Sequence, residues 1–376
     1  MNDYTRRIEA KRARGQPLLD LTISNPTEVL DDYPHEAIRN AYARIPDFAY
    51  RPNALGEEQA RQSVSTYYEE YGLHISPEQI VLTSSSSESY SLLFKLFCDP
   101  GAEVLVPVPS YPLFEYLSAL ESVKSVPYRL NYDREWFVDF NHMRDRITSR
   151  TRAIVVVNPN NPTGSRLKKS ECDDLFELAS HYRLPVIADE VFIDYAHERL
   201  PVAKSIAGDK RGLNCSLNGL SKSAGMPQLK LGWIVLGGIQ AEQEQIRERL
   251  ELLLDTYLSV NTPVQRALPD LLAIGKSIRK KIAERVVRNV RSLDHLLEGR
   301  TAQAIKSEAG WSALVKLPAT LPEAQWVARL LEEKNTVVQP GYFFDMPSEA
   351  YVIVSLITPP AVFDEGIQRL AALVTE

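Results

Sequence analysis

Short apolar runs alternate along the chain with longer stretches in which apolar residues recur at helical spacing. The runs are rich in β-branched residues and occupy residues 79–85, 103–109, 153–159, 184–190, 214–220 and 232–238. Their apolar residues are mostly consecutive rather than alternate, which is typical of strands covered on both faces in a mainly parallel sheet. Helical spacing occupies residues 88–97, 168–183 and 241–258. This order predicts a large, doubly wound α/β domain over residues 45–260.

The pattern changes after this region. Residues 264–299 have helical spacing throughout, which predicts one long helical region with a basic face toward solvent. Short strands are predicted at 311–317, 336–340 and 351–357, and helices at 323–334 and 363–375. We expect residues 261–376 to form a smaller α+β domain together with residues 1–44. The chain has no internal repeats or low-complexity linkers, so the two domains should pack against each other.

Composition and charge exclude several classes of protein. The 376 residues are 44% apolar and 24% charged, as in a soluble globular protein. A net charge of −6 without basic blocks argues against a nucleic-acid or anionic-membrane partner. No apolar run approaches the roughly 18 residues that span a bilayer. The charged N-terminus lacks an apolar signal segment, and three scattered cysteines (98, 172 and 215) fit a reducing compartment, so a cytoplasmic location is expected.

Polar sequences follow several of the predicted strands. They are SSSS (84–87), PSYP (109–112), NPNNPTG (158–164), DE (189–190) and GLSK (219–222). In an open α/β sheet, ligands bind beyond the carboxyl ends of the strands. We therefore expect these polar groups to converge in one crevice.

Three of these sequences contain groups with specific chemical uses. The amides of Asn160 and Asn161 can donate into the crevice, although an ordinary strand-to-helix turn is the alternative. Asp189 and Glu190 end a buried strand, where a carboxylate needs a partner. This partner is either a cation in a surface salt bridge or a protonated heterocyclic nitrogen. Most lysines are solvated, but Lys222 lies at a strand end among small residues, where burial lowers the pKa of an amine and makes it a nucleophile.

The order NPNNPTG…ADE…LSK resembles that of the fold-type I pyridoxal-phosphate enzymes, and within them the class I/II aminotransferases. The resemblance covers about residues 20–370 and implies pyridoxal 5'-phosphate as cofactor. Lys222 matches the lysine that forms a Schiff base with the cofactor and moves the substrate proton. Asp189 matches the aspartate that keeps the pyridine nitrogen protonated. Asn161 matches the amide that binds the ring oxygen O3′, and Tyr111 matches the aromatic residue stacked on the ring.

The resemblance also implies how the phosphate is held. Ser85, Ser86 and Ser87 match the loop that binds it at the start of a helix. Ser221, directly before the lysine, is assigned to the cofactor site as well. Lys230 stands where the family usually has a phosphate-binding arginine, and lysine lacks the two-pronged geometry of arginine.

Two further matches concern the partner subunit and the substrate. Tyr50 matches a tyrosine that reaches the phosphate of the neighbouring subunit, which implies a homodimer with shared active sites. Ser24 lies where the family usually has a glycine near the substrate.

The sequence departs from the family pattern at three further positions. Phe192 replaces a tyrosine that binds O3′, and Gly219 replaces a serine that binds the phosphate. Ile353 stands where an arginine usually holds the substrate α-carboxylate, and an apolar side chain cannot do this. Either another cation binds the carboxylate, for which Arg51 is the first candidate, or the substrate has no α-carboxylate.

The leading prediction is an aminotransferase of altered substrate class that acts on an amino acid or related amine and a keto acid. A pyridoxal-phosphate lyase, decarboxylase or racemase on the same scaffold is an alternative, as is a non-catalytic protein that binds the cofactor or nothing. The chain contains no G-x-G-x-x-G, Walker, H-E-x-x-H or C-x-x-C motif, so nicotinamide, nucleotide and metal sites have no support. The amino donor and acceptor stay open.

Overall fold

The apolar runs form a large sheet in the computed structural model, which describes residues 2–197, 205–348 and 350–375. The strands, in chain order, are β1 (Leu19–Asp20), β2 (Ile80–Thr83), β3 (Glu103–Val108), β4 (Lys124–Asp133), β5 (Glu135–Val138), β6 (Thr151–Val157), β7 (Val186–Asp189), β8 (Asn214–Gly219), β9 (Gly232–Gly237), β10 (Gln303–Ala304), β11 (Ser312–Lys316), β12 (Thr336–Val337), β13 (Gln339–Pro340) and β14 (Tyr351–Ser355). All six predicted strands of the large domain are present, as β2, β3 and β6–β9.

Helices separate most of these strands. In chain order they are α1 (Asp3–Ala13), α2 (Pro26–Val29), α3 (His35–Ala43), α4 (Glu58–Glu69), α5 (Ser86–Phe97), α6 (Leu113–Leu120), α7 (Phe140–Asp145), α8 (Lys169–Tyr182), α9 (Leu220–Ser223), α10 (Gln240–Asp255), α11 (Thr262–Leu297), α12 (Glu323–Lys334) and α13 (Pro360–Thr375). None of the helices in the described residues is long and apolar enough to cross a membrane.

The large sheet has the strand order β2-β9-β8-β7-β6-β3-β4-β5. The strands from β8 through β4 are parallel, whereas β9 is antiparallel to both its neighbours and β5 is antiparallel to β4. Strand β4 and the edge strand β5 were not predicted from the sequence, because charged residues interrupt their apolar residues and much of their surface is exposed. The predicted α/β class with a large, mainly parallel sheet is confirmed.

The smaller sheets combine both ends of the chain. Strands β10, β11, β14 and β13 form an antiparallel sheet, and β1 pairs with β12 in a separate parallel ribbon. This pairing supports the proposed small domain of residues 1–44 and 261–376, and its boundaries stay a prediction. The proposed ranges include residues 1, 198–204, 349 and 376, which lie outside the described residues.

The long helix α11 packs against the segment that carries Lys222. Its first turn is capped by Asn261, whose Oδ1 accepts a hydrogen bond from the Val264 N–H (3.0 Å). Farther along, Gly275 lies so close to this segment that an added Cβ would be 2.5 Å from the Cβ of Ala224. The missing side chain therefore sets how closely α11 approaches the segment.

We predict that Gly275→Ala lowers stability. A helical glycine replaced by alanine normally gains up to about 1 kcal/mol from helix propensity, but here the added methyl group overlaps Ala224 and should cost roughly 1–3 kcal/mol. Urea unfolding measures the change. Gly212→Ala is the control, because a Cβ there would meet only Phe176, at an ordinary 3.5 Å. An unchanged or raised stability in Gly275→Ala would contradict the close packing.

Candidate active site

Lys222 lies in the one-turn helix α9, directly after strand β8. Its Nζ is 4.6 Å from the centre of the Trp311 ring and 5.6 Å from that of Phe192. Burial lowers the pKa of Lys222 to about 8, although the nearby Asp189 carboxylate opposes this. Because a larger fraction of such an amine is neutral near pH 7 than in an exposed lysine, Lys222 is a stronger nucleophile.

Asp189 ends strand β7, which lies beside β8 in the sheet. The Tyr90 hydroxyl donates to its Oδ2 (3.1 Å), and the Val191 N–H donates to its Oδ1 (3.2 Å). Burial raises the pKa of Asp189 to about 6, against these hydrogen bonds and the Lys222 charge. A cationic ligand atom next to this carboxylate would restore the charged form.

Glu190, the other carboxylate of the pair, bonds to a different part of the chain. It accepts hydrogen bonds from the Ser205 hydroxyl and from the Ile206 N–H, the latter at 2.8 Å. Its side chain is fully buried, and burial raises its pKa to about 7. Of the two predicted candidates, Asp189 is therefore the one near Lys222, whereas Glu190 joins its turn to Ser205 and Ile206.

The two asparagines of NPNNPTG have different surroundings. Asn160 is buried, donates to the Pro109 carbonyl (3.0 Å) and accepts from the Ser110 hydroxyl (3.1 Å), so it joins this turn to the PSYP loop. The Oδ1 of Asn161 accepts from the Ser312 hydroxyl (2.9 Å). Since its oxygen is occupied, the Asn161 amide can offer N–H groups to a ligand. The Asn160 amide is thus used within the protein, and donation to a ligand by Asn161 stays a prediction.

The predicted serines lie at the beginning of helix α5. Ser85 is the N-cap, and its hydroxyl accepts from the Glu88 N–H (3.2 Å), while Ser86 and Ser87 form the first turn. The first N–H groups of a helix have no acceptor within the helix and favour an anion. A Cβ on Gly232 would lie 3.0 Å from the Ser85 carbonyl carbon, so this glycine allows β9 to pass close to the loop.

The surroundings of Lys222 explain why glycine replaces the usual serine at position 219 and show how Lys230 is exposed. A side chain on Gly219 would begin 2.8 Å from the Leu231 carbonyl oxygen, so the usual serine has no room there. Ser221 is half-buried beside the lysine. Lys230 is exposed, with a left-handed φ of 50°. Ser24 is also exposed.

Tyr50 and Arg51 lie on the surface. The side chain of Tyr50 is 71% exposed, and Arg51 pairs with Asp47 (3.4 Å) in the same loop. Arg266 from α11 holds this loop by donating to the Ala49 carbonyl (2.9 Å) and by pairing with Asp47. Neither predicted residue contacts Lys222 within one chain.

Tyr111 and Ile353 have contrasting surroundings. Tyr111 is half exposed, and its ring centre is 6.4 Å from that of Phe344. Ile353 is 1% exposed and lies in the middle of β14, opposite Leu314 of β11. It belongs to the same apolar cluster as Leu314 and Phe344. Position 353 is therefore packed as core.

Trp311 and Tyr90 lie next to the predicted site, although no sequence pattern singled them out. Trp311 precedes strand β11 and Tyr90 lies within α5, so both fit ordinary core positions in the hydrophobic pattern. Each is at least 80 residues from its partner at the site, and only the tertiary fold reveals the contact.

Taken together, the site has the parts that pyridoxal phosphate requires. A partly buried amine can react with its aldehyde, a partly buried carboxylate can pair with its ring nitrogen, and a helix N-terminus can bind its phosphate. The site and fold are those of a pyridoxal-phosphate-dependent aminotransferase. The chain belongs to the family described as aminotransferase class I and II, whose model matches residues 16–370. The predicted family, enzyme class and cofactor are confirmed.

Individual relatives have different substrates in their names. The glutamate-pyruvate aminotransferase AlaA of Escherichia coli is 32% identical over 283 residues, which cover 73% of this chain and 68% of the relative. The tyrosine aminotransferase of Dictyostelium discoideum is 28% identical over 312 residues, covering 79% and 74%. The structure of an alanine aminotransferase from Pyrococcus furiosus superposes with a TM-score of 0.89, at 24% identity, over 99% of this chain and 96% of that chain.

The raised pKa of Asp189 predicts how stability depends on pH in the protein without cofactor. The folded state binds a proton near pH 6 and the unfolded state only near 3.8, so folding stability falls as pH rises through this window. Asp189→Asn removes this dependence and should be more stable than wild type at pH 7.5 by about 1–3 kcal/mol. Urea unfolding at pH 4.5, 6 and 7.5 measures the difference.

Asp364→Asn is the control of opposite sign. Its hydrogen bonds with Arg288 lower the pKa of Asp364, so the charged form stabilises the fold above the unfolded-state pKa. This variant should lose stability at pH 7.5 relative to wild type. If Asp189→Asn behaves in the same way, the buried carboxylate at Asp189 is already well satisfied and our description of it is wrong.

Proposed function

We propose that this aminotransferase uses the Lys222 amine to attach its cofactor and to move the substrate proton, and that its substrate class differs from that of family members with the usual arginine. The observation that carries the proposal is the position of Lys222, which follows β8 directly with its Nζ 4.6 Å from the centre of the Trp311 ring, beside the carboxylate of Asp189 at the end of the neighbouring strand β7. Both groups are unfavourable in the protein alone, and one ligand with an aldehyde and a basic ring nitrogen would satisfy both.

Each of the other predicted residues has a task in this proposal. Asp189 holds the ring nitrogen in its protonated form, and the Asn161 N–H groups bind the ring oxygen. Tyr111 covers one face of the ring. The bound cofactor supplies an electron sink that stabilises negative charge at the substrate carbon. When an amino substrate has displaced the Lys222 amine, this amine is free to act as a base. It takes the proton from the substrate carbon and returns the proton at its new position.

The phosphate is assigned to the start of α5. The N–H groups and hydroxyls of Ser85, Ser86 and Ser87 bind it there, with the help of Ser221. Lys230 contributes a positive charge. Its side chain is exposed in the single chain and is therefore free to pair with a bound phosphate.

A homodimer completes the proposed site. Tyr50 and Phe48, two positions apart in the chain, are both large exposed aromatic residues, and a group of exposed aromatic residues is typical of an interface. We assign Tyr50 to the phosphate of the neighbouring subunit. The loop that carries it is held by Arg266, so it is presented in a fixed position. A cytoplasmic location belongs to the same proposal.

The proposed change in substrate class rests on Ile353. An arginine that binds a carboxylate needs a polar, ligand-facing position, whereas Ile353 is core in an apolar cluster. The substrate α-carboxylate is therefore either bound by Arg51, presented next to Tyr50, or absent from the substrate. Serine instead of glycine at exposed position 24 changes the same substrate region.

Cofactor attachment can be tested by reduction. Protein incubated with pyridoxal phosphate and then borohydride should carry the reduced cofactor on Lys222, as found by peptide mass spectrometry. Lys222→Ala should abolish attachment. Lys230→Met should weaken the affinity for the cofactor about 10-fold, through loss of one charge on the phosphate, without moving the attachment point. Attachment to a different lysine would contradict the proposal.

The substrate class can be tested with amino donors that have or lack an α-carboxylate. If Arg51 binds this group, Arg51→Ala should raise the KM for α-amino acids about 10- to 100-fold and leave kcat nearly unchanged. Arg44→Ala is the matched control, because Arg44 is an exposed arginine that pairs with Asp270 nearby. Activity confined to amines without a carboxylate would support the second alternative. Full activity on α-amino acids in Arg51→Ala would contradict Arg51 as the carboxylate partner.

A further inference from the structure

The backbone that carries Lys222 is held from outside its own segment. The Tyr195 hydroxyl donates to the Lys222 carbonyl (2.6 Å), and Arg279 Nη1 donates to the Ser223 carbonyl (3.3 Å). The Lys222 carbonyl also accepts the Gly225 N–H (3.2 Å) within the turn, and the two side-chain donors add contacts from outside it. Two side chains from distant elements therefore fix the position of the lysine backbone.

Arg279 belongs to a buried polar cluster centred on Asp194, and Tyr195 is joined to this cluster through the chain. Arg279 reaches from α11, and its Nη1 is 3.2 Å from Asp194 Oδ1. The hydroxyls of Tyr67 (2.9 Å) and Tyr71 donate to the same carboxylate. The Asp194 side chain is only 3% exposed, and Tyr195 follows it directly in the chain.

The cluster also reaches the strand that leads into the lysine segment. The Asn218 Nδ2 donates to the Tyr67 hydroxyl (3.2 Å), which in turn donates to Asp194. The segment is therefore held before the lysine, at Asn218, and after it, at Ser223. Asp194 itself lies five residues after Asp189, in the turn that follows β7. One carboxylate thus links the segments that carry the two central groups of the site.

A buried ion pair is a weak source of stability, because well-packed apolar side chains of similar volume often stabilise a fold as much or more. The geometric effect of the ion pair is different, because it fixes the directions of side-chain donors. These donors in turn define the position of the backbone carbonyls that they bind. The Lys222 amine must change its covalent partner during turnover, so its side chain has to move while its backbone stays in place. Hydrogen bonds to the backbone carbonyls, with none to the Lys222 amine from the described residues, meet both requirements.

We propose that Asp194 and Arg279, together with Tyr195, are positioning residues that hold the Lys222 backbone so that the amine stays between Trp311, Phe192 and Asp189. The proposal rests on the proposed role of Lys222. When the cluster is weakened, the segment moves, water reaches the amine, and cofactor capture becomes slower. None of the three positioning residues touches the cofactor or the substrate in this account.

The test uses Asp194→Asn, which removes the charge at nearly constant shape, and Tyr195→Phe, which removes only the hydroxyl that binds the Lys222 carbonyl. Tyr195→Phe keeps the proposal testable if Asp194→Asn does not fold. The control is Asp364→Asn, which breaks the pair between Asp364 and Arg288 of the same helix α11, away from the lysine segment.

The first readout is the pH at which Lys222 of the cofactor-free protein becomes half reactive toward acetic anhydride, measured by mass spectrometry. We expect both cluster variants to move this midpoint upward, toward the value of an exposed lysine, and the control to match wild type. The second readout is the rate of covalent capture of pyridoxal phosphate at pH 7.5, which should fall about 10- to 100-fold in Asp194→Asn.

If the cluster serves only folding, its variants would have a lower melting temperature but the Lys222 midpoint and the capture rate of wild type. This result would overturn the proposal. A failure of the proposed function would look different. In that case Lys222→Ala would still capture the cofactor, whatever the cluster variants do to the Lys222 midpoint.

Discussion

Two opposite charges, both partly buried at the ends of neighbouring strands, are the constraint on which this structure depends. Lys222 and Asp189 lie close enough to stabilise each other, yet burial has the larger effect on both. It lowers the pKa of Lys222 and raises the pKa of Asp189, so that each group is more easily neutral near pH 7. In the protein alone this arrangement costs stability. In the proposed function, a ligand that reacts with the amine and brings a cationic ring nitrogen to the carboxylate would remove both costs at once.

The fold brings these groups together through strand order. Strands β7 and β8 are parallel neighbours, so the residues that follow their carboxyl ends meet at one edge of the sheet. The same edge receives the NPNNPTG turn after β6 and the serines after β2. Helix α11 then lies behind the lysine segment, close to it at Gly275 and joined to it by Arg279. The large sheet thus brings these groups to one edge, and contacts with α11 hold the lysine segment in place there.

Much of this could be predicted from the sequence, because local patterns carry the information. Continuous apolar runs identified the central strands, and polar residues directly after them identified Lys222 and Asp189. The surroundings of these residues could not be predicted in the same way. Trp311 and Tyr90 are ordinary core residues by pattern, and Asp194 differs from a surface carboxylate only through partners that lie far away in the chain. The lack of space at Gly219 likewise depends on the path of strand β9.

The central claim is that one ligand satisfies both buried charges. A crystal structure of the protein with pyridoxal phosphate tests this most directly. The account predicts continuous electron density between Lys222 Nζ and the cofactor, with the Asp189 carboxylate within hydrogen-bond distance of the pyridine nitrogen. A cofactor that is bound without a covalent link to Lys222, or with its ring nitrogen turned away from Asp189, would contradict it.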